Sequence, residues 1–93
     1  MLNDVKDALR VSGTALDTEI QDLIDAAKAD LQLSGVHADK IVDTDPLIKR
    51  AVIVYAKAHF GWDNPEADRF AQSYDMLKQH LTLSAEYTEV VVP

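Results

Sequence analysis

The chain has 93 residues, 47% of them hydrophobic, with 16 Asp and Glu against 9 Lys and Arg, a formal charge of −7. That length favours one domain, and the apolar share is too high for a disordered acidic tail. The absence of Cys removes disulfides, thiol nucleophiles and thiolate metal sites together.

The longest apolar stretch runs from Ala51 to Ala56 with the half-polar Tyr55 inside it, far short of the roughly 18 residues a membrane span needs. The start, from Met1 to Asp7, is acidic and lacks the basic and apolar regions of a secretory leader. The expectation is therefore no membrane partner and a cytoplasmic default. Charge is uneven: residues 1–47 hold ten acids and four bases, residues 48–93 six acids and five bases. Such acidity argues against a protein that grips DNA phosphates by charge, and it suggests an acidic outer face, channel or docking surface.

The first predicted element is a short helix over residues 3–10. Asn3 is a plausible N-cap, Asp4 and Asp7 suit the positive helix end, and Val5, Ala8 and Leu9 form its apolar stripe. Two or three turns are marginal alone, so this helix must pack on something. Ser12-Gly13 ends it. A second helix is expected over residues 15–33, where Leu16, Ile20, Leu23, Ile24, Ala27 and Leu31 recur at spacings of three and four. Thr14 followed by Asp17 resembles a capping arrangement. Glu19, Asp22 and Asp25 fall off the apolar stripe, and Ser34-Gly35 supplies the stop.

Residues 36–44 form the longest connection. Val36, Ile41 and Val42 within it are either loop anchors over the core or contacts for another subunit. A third helix follows over residues 46–59, capped by Asp45, with Pro46 at its first position. It is apolar on almost every face, which predicts a central helix buried from several sides. Ile53 and Val54 lie off its main stripe and suggest a subunit interface. Lys49, Arg50 and Lys57 form the one basic patch, suited to ion pairs with the second helix or with a neighbouring subunit.

Phe60 to Asn64 reads as a turn, with Trp62 either a lid over the bundle end or a contact at a partner surface. Asn64-Pro65 opens a fourth helix over residues 65–83, with Phe70, Tyr74, Leu77 and Leu81 as its stripe. The terminal Val90, Val91 and Val92 prefer an extended form. They either fray or add to a neighbour as a strand or groove-bound segment. The predicted architecture is all-α: a small four-helix bundle, one short helix and three longer ones, over residues 1–86, with an extended tail over 87–93.

Catalytic chemistry finds little footing. His37, Asp39, Asp43 and Asp45 lack the spacing of a calcium loop or a helix-held metal pair. His59 and Asp63 flank the Gly61 turn without a Cys or elbow Ser to activate. Asp4 with Asp7, and Asp22 with Asp25, have no pocket to separate their acidities and read as solvated helix faces. Neither an enzyme nor a cofactor is expected.

Three segments carry a resemblance. These are Asp4-Val-Lys-Asp-Ala-Leu9, the run from Asp17 through Leu-Ile-Asp-Ala-Ala-Lys to Leu31, and Asp45-Pro-Leu-Ile-Lys-Arg through Ala-Lys-Ala-His-Phe-Gly61. Together they resemble the head–tail connector family of tailed bacteriophages and prophages, over about residues 2–83. The resemblance implies a small helical adaptor at the virion head–tail junction, assembled in the host cytoplasm. Such adaptors close into a ring, commonly about twelve-fold, beneath the portal. The ring extends the DNA channel without reading DNA sequence, and carries a stopper or tail-completion protein. The acidic face (Asp4, Asp7, Glu19, Asp22, Asp25) would then line the channel or meet a neighbour. Lys49, Arg50, Ile53, Val54, Trp62 and Val90 to Val92 would serve ring closure or portal docking. The alternative is a small acidic helical module, regulatory or antitoxin-like, that binds one partner.

Overall fold

A computed structural model describes residues 1–61 and 64–89. The helices are α1 (Leu2–Leu9), α2 (Asp17–Leu33), α3 (Pro46–His59), α4 (Ala67–Thr82) and α5 (Ala85–Thr88), with a 3₁₀ turn at Ala38–Lys40. The described residues contain no strand, and the fold is all-α with four substantial helices. Trp62, Asp63 and Val90 to Pro93 lie outside the described residues, and so do the readings placed on Trp62, on the His59–Asp63 pair and on the valine tail.

α3 is the central element. It packs against α1, α2 and α4, so its apolar residues are covered from three directions. Ile48, Ala51, Val52, Val54 and Ala56 are all buried. Val54 corrects an expectation. At 1% exposure it offers nothing to another subunit, because α4 covers the flank of α3 on which it lies. Ile53 is half-buried and also packs on the core. The apolar excess of α3 is thus absorbed largely within one chain. Ile20, Ile24, Ala27 and Leu31 of α2, Val5 of α1, and Tyr74 and Leu81 of α4 complete the core.

The α3 start forms as expected: Asp45 Oδ1 accepts from the amides of Leu47 (2.8 Å) and Ile48 (3.2 Å), and Pro46 takes the first turn. Other boundaries differ. Asn3 is no cap, since α1 already begins at Leu2. That helix closes at Arg10, which adopts φ 59° and lets the Arg10 and Val11 amides reach back to Asp7 and Lys6 carbonyls. Gly13 (φ 79°) then turns the chain, and its carbonyl accepts from Lys6 Nζ. Thr14 does not cap α2, whose N-cap is Leu16. There Asp17 serves instead by facing the Lys6 ammonium at 2.7 Å, tying α1 to the start of α2.

Val36 of the α2–α3 connection is fully buried and Ile41 packs on the core, so both are anchors, whereas Val42 is 43% exposed. α4 begins two residues later than predicted. Asn64 still organises its entry, accepting from the Glu66 amide (3.1 Å) and donating to the Lys57 carbonyl (2.6 Å).

The expected extended tail starts later than residue 87. Tyr87 and Thr88 close the single turn of α5, and Tyr87 is buried. Its hydroxyl donates to Asp45 (3.0 Å to Oδ2), and its carbonyl accepts from the His37 amide (2.8 Å). One residue therefore joins α5, the connection and the α3 cap, the first two through its backbone and the last through its hydroxyl. Burial raises the Tyr87 phenol, and the bond to Asp45 adds to that rise.

Candidate interaction surfaces

Three helix flanks carry the polar chemistry. On α1 the buried Val5 sets the inward direction, and one residue is about 100° of turn. Asp4 then lies on the α3 flank, where Lys49 Nζ approaches to 3.7 Å. Lys6 lies on the α2 flank beside Asp17, and Asp7 points outward and is exposed. Of the basic patch, Lys49 therefore pairs with α1, where the second helix or a neighbouring subunit had been expected. Arg50 is exposed and makes no ion pair among the described residues. Lys57 lies over the Phe70 ring at 5.4 Å.

On α2 the inward stripe is Ile20, Ile24, Ala27 and Leu31. Lys28 lies on one flank and bonds Asp43 at 2.8 Å; Asp43 also meets the Met1 amine at 3.4 Å. The Lys28 hydrogen bond holds the Asp43 carboxyl below its ordinary range, against the opposing effect of burial. Asp30 lies on the other flank. It accepts from Tyr74 Oη at 2.5 Å and from Lys78 Nζ at 3.1 Å, linking α2 to α4. Burial pushes Asp30 upward, but the bonds from Tyr74 and Lys78 outweigh it and the net direction is down. Tyr74 is raised, by burial first and by the Asp30 bond second. Its ring meets Tyr55 edge-on at 5.1 Å, and Tyr55 stacks on His59 at 4.3 Å.

The remaining α2 surface is unpartnered among the described residues. Glu19, Asp22, Ala26, Ala29 and Leu33 follow one another at intervals of three and four, and all are exposed. Leu33 is 88% exposed. Asp25 lies beside this ridge and accepts only from Gln21 of its own helix (3.0 Å). Of the acids singled out in the sequence, Asp7, Glu19, Asp22 and Asp25 are free of cationic partners among the described residues, while Asp4 is engaged.

A groove of about 310 Å³ lies between α3 and α4, lined by Arg50, Val54, Ser73, Met76, Leu77 and His80. Val54 forms its floor, and Met76, 61% exposed, forms its rim. Sequence reasoning picked out Arg50 and Val54 but missed the α4 wall. The available signal was Met76, an apolar residue off the 70-74-77-81 stripe.

His37, Asp39, Asp43 and Asp45 do not converge. His37 Nδ1 accepts from the Asp39 amide (3.2 Å), Asp43 is held by Lys28 and Asp45 caps α3. Among the described residues no group of three His or carboxylate side chains is placed to hold a metal, and no helix is long and apolar enough to cross a membrane. The Asp30–Tyr74–Lys78, Lys6–Asp17, Asp4–Lys49 and Asp45–Tyr87 contacts tie helices together, and the unpaired chemistry lies on open faces suited to protein contacts.

The family model for phage connector protein matches residues 1–88. The chain belongs to that family. Comparison with curated proteins and with solved structures gives no match. As a phage connector protein it is a structural phage protein of a non-catalytic family, a virion component that interacts with other head or tail proteins. The matched span covers α1 to α5 and ends with the Tyr87 clasp, so the family's unit is the whole helical body described above.

Proposed function

We propose that the protein is a ring adaptor at the head–tail junction, seated on the portal, extending the DNA channel and presenting a platform to a stopper or tail-completion protein. The connector-family match over residues 1–88 carries this reading. Two physical features support it. Asp7, Glu19, Asp22 and Asp25 are exposed without cationic partners among the described residues, and a negative wall passes DNA without the counterion release that makes cationic surfaces hold it. Separate unpartnered surfaces, one on α2 and one between α3 and α4, suit the heterologous contacts from which rings are built. Lys49, Arg50 and Ile53 remain candidates for subunit or portal contact.

The test is electron microscopy and native mass spectrometry of the protein with the portal of the same phage. The expected result is a closed ring of about twelve copies, coaxial with the portal. A stable one-to-one complex with a protein that is not part of the virion, and no portal binding, would refute the adaptor reading and establish the small acidic binding module instead.

A further inference from the structure

The α3–α4 groove and the outer ridge of α2 complement each other in charge, shape and spacing. At one point along the groove sit Arg50 and His80, both exposed. Arg50 has no ion-pair partner among the described residues, in a chain of net charge −7. Four residues further along each wall sit Val54 and Met76, with Leu77 beside them. On the ridge, the acids Glu19 and Asp22 come first. Four residues beyond Asp22 comes Ala26, then Ala29, then the exposed Leu33. Four residues are about 6 Å of helix axis on both surfaces. With Asp22 set against Arg50 and His80, Ala26 falls opposite Met76. Ala26 and Ala29 are thin enough to let a helix settle into a groove whose floor is apolar.

We propose that the α3–α4 groove receives the Glu19–Leu33 ridge of a second copy of this chain, with Asp22 paired to Arg50. This rests on the ring reading and names the surfaces by which neighbouring copies meet. Groove and ridge belong to different helices and share no residue, so the contact is heterologous. Each copy keeps one free groove and one free ridge until a ring closes. The arrangement assigns Glu19 and Asp22 to the neighbour and leaves Asp7 and Asp25 for the channel wall. It also covers Met76, one of the most exposed large apolar side chains among the described residues. The occupant is a second copy because Arg50 of this groove, unpaired among the described residues of an acidic chain, finds its complement on that chain's own ridge.

The test uses sedimentation velocity and native mass spectrometry on the full chain, with circular dichroism as the folding check. Arg50→Glu and Asp22→Arg each reverse an exposed charge. Each is expected to raise the self-association constant for dissociation by roughly tenfold or more. The double variant restores association toward the parent value, and an equimolar mixture of the two single variants also regains it, because alternating copies set the introduced glutamate against the introduced arginine at one junction and Arg50 against Asp22 at the next. A second measurement exploits the absence of native Cys. Ala26→Cys mixed with Met76→Cys is expected to give a mixed disulfide under mild air oxidation, and neither variant alone is expected to cross-link efficiently. Rings that persist unchanged in both charge reversals would overturn the proposal while leaving the adaptor reading intact. So would a Met76→Cys homodimer as the main product, or a chain that stays monomeric at high concentration without the mixed disulfide. A ring that fails to form even on the portal, with the one-to-one complex in its place, would overturn both.

Discussion

Removing a single oxygen from Tyr74 gives a sharp test of how α2 and α4 are held together. In Tyr74→Phe the ring keeps its edge contact with Tyr55, and only the donor to Asp30 Oδ2 is lost. A hydrogen bond to a charged group contributes about 1.5–3 kcal/mol net. Asp30 is 37% exposed and keeps Lys78 at 3.1 Å, so water and the ammonium replace part of the loss. The lower end, about 1.5 kcal/mol, is the expected cost at pH 7. In urea this moves the midpoint down by about 1 M for a chain of this size, or lowers Tm by roughly 6–12 °C. The pH dependence has a definite sign. Asp30 is depressed in the folded chain from 3.8, so its contribution is complete above that value. It is lost as pH falls through the lower folded value, when the carboxylate takes up a proton. The gap between parent and Tyr74→Phe should therefore narrow below pH 3.8. Urea titrations at pH 7 and at successively lower pH read both quantities. Midpoints within about 0.2 M at pH 7 would refute the bond's energetic role. A gap that keeps its full size to about pH 2 would refute its dependence on the Asp30 charge.

Three further outcomes follow from the same packing. Leu31→Ala, at a fully buried site of α2, is expected to cost about 2–5 kcal/mol by loss of burial and cavity formation, measured by thermal or urea unfolding. Asp45→Ala removes the acceptor for the Leu47 and Ile48 amides and for Tyr87. It should cost about 1–2 kcal/mol and, as a signature beyond simple capping, speed hydrogen exchange at the His37 amide, which the Tyr87 carbonyl holds. Arg10→Gly should stabilise by a few tenths to about 1 kcal/mol, since Arg10 occupies φ 59° and glycine enters that region without steric penalty. Unchanged or lowered Tm in that variant would show that the Arg side chain compensates the strain.

What could be read from the chain was whatever is encoded locally. The start of α3 is written in three adjacent residues: Asp45 accepts from the next amides, Pro46 needs no donor and Leu47 begins the helix. The α2 core stripe is likewise a spacing rule, and all four of its buried residues were legible. The errors fall where a distant partner decides. α2 lacks a side-chain N-cap because Lys6, on another helix, binds Asp17 and fixes the entry. Tyr87 looked like tail because its partners, Asp45 and His37, lie far upstream. The groove was half legible for the same reason. Arg50 and Val54 stood out on α3, but Ser73, Met76 and His80 join them only once α4 is laid alongside.

The fate of α3 also moves the physical basis for assembly. An apolar helix in a short chain suggests surplus surface for a partner, and Val54 carried that suggestion. In the folded chain Val54 is buried to 1% and Ile53 packs against the core. The most exposed large apolar side chains among the described residues are instead Leu33, Leu83 and Met76, and of these Leu33 and Met76 lie on the α2 ridge and the α3–α4 groove. One exposed apolar residue on each of two separate surfaces is weak glue by hydrophobic burial alone, since truncating most interface contacts costs little. The same two surfaces carry charges of opposite sign, Asp22 towards the start of the ridge and Arg50 in the groove. Association built this way is slow to err and responsive to salt, because the charges set orientation while the apolar contacts stay small. In the proposed ring, such a subunit would hold its neighbours loosely in isolation and gain its full affinity only when a portal presents many copies at once, each contact then acting at the high effective concentration of a partly closed ring.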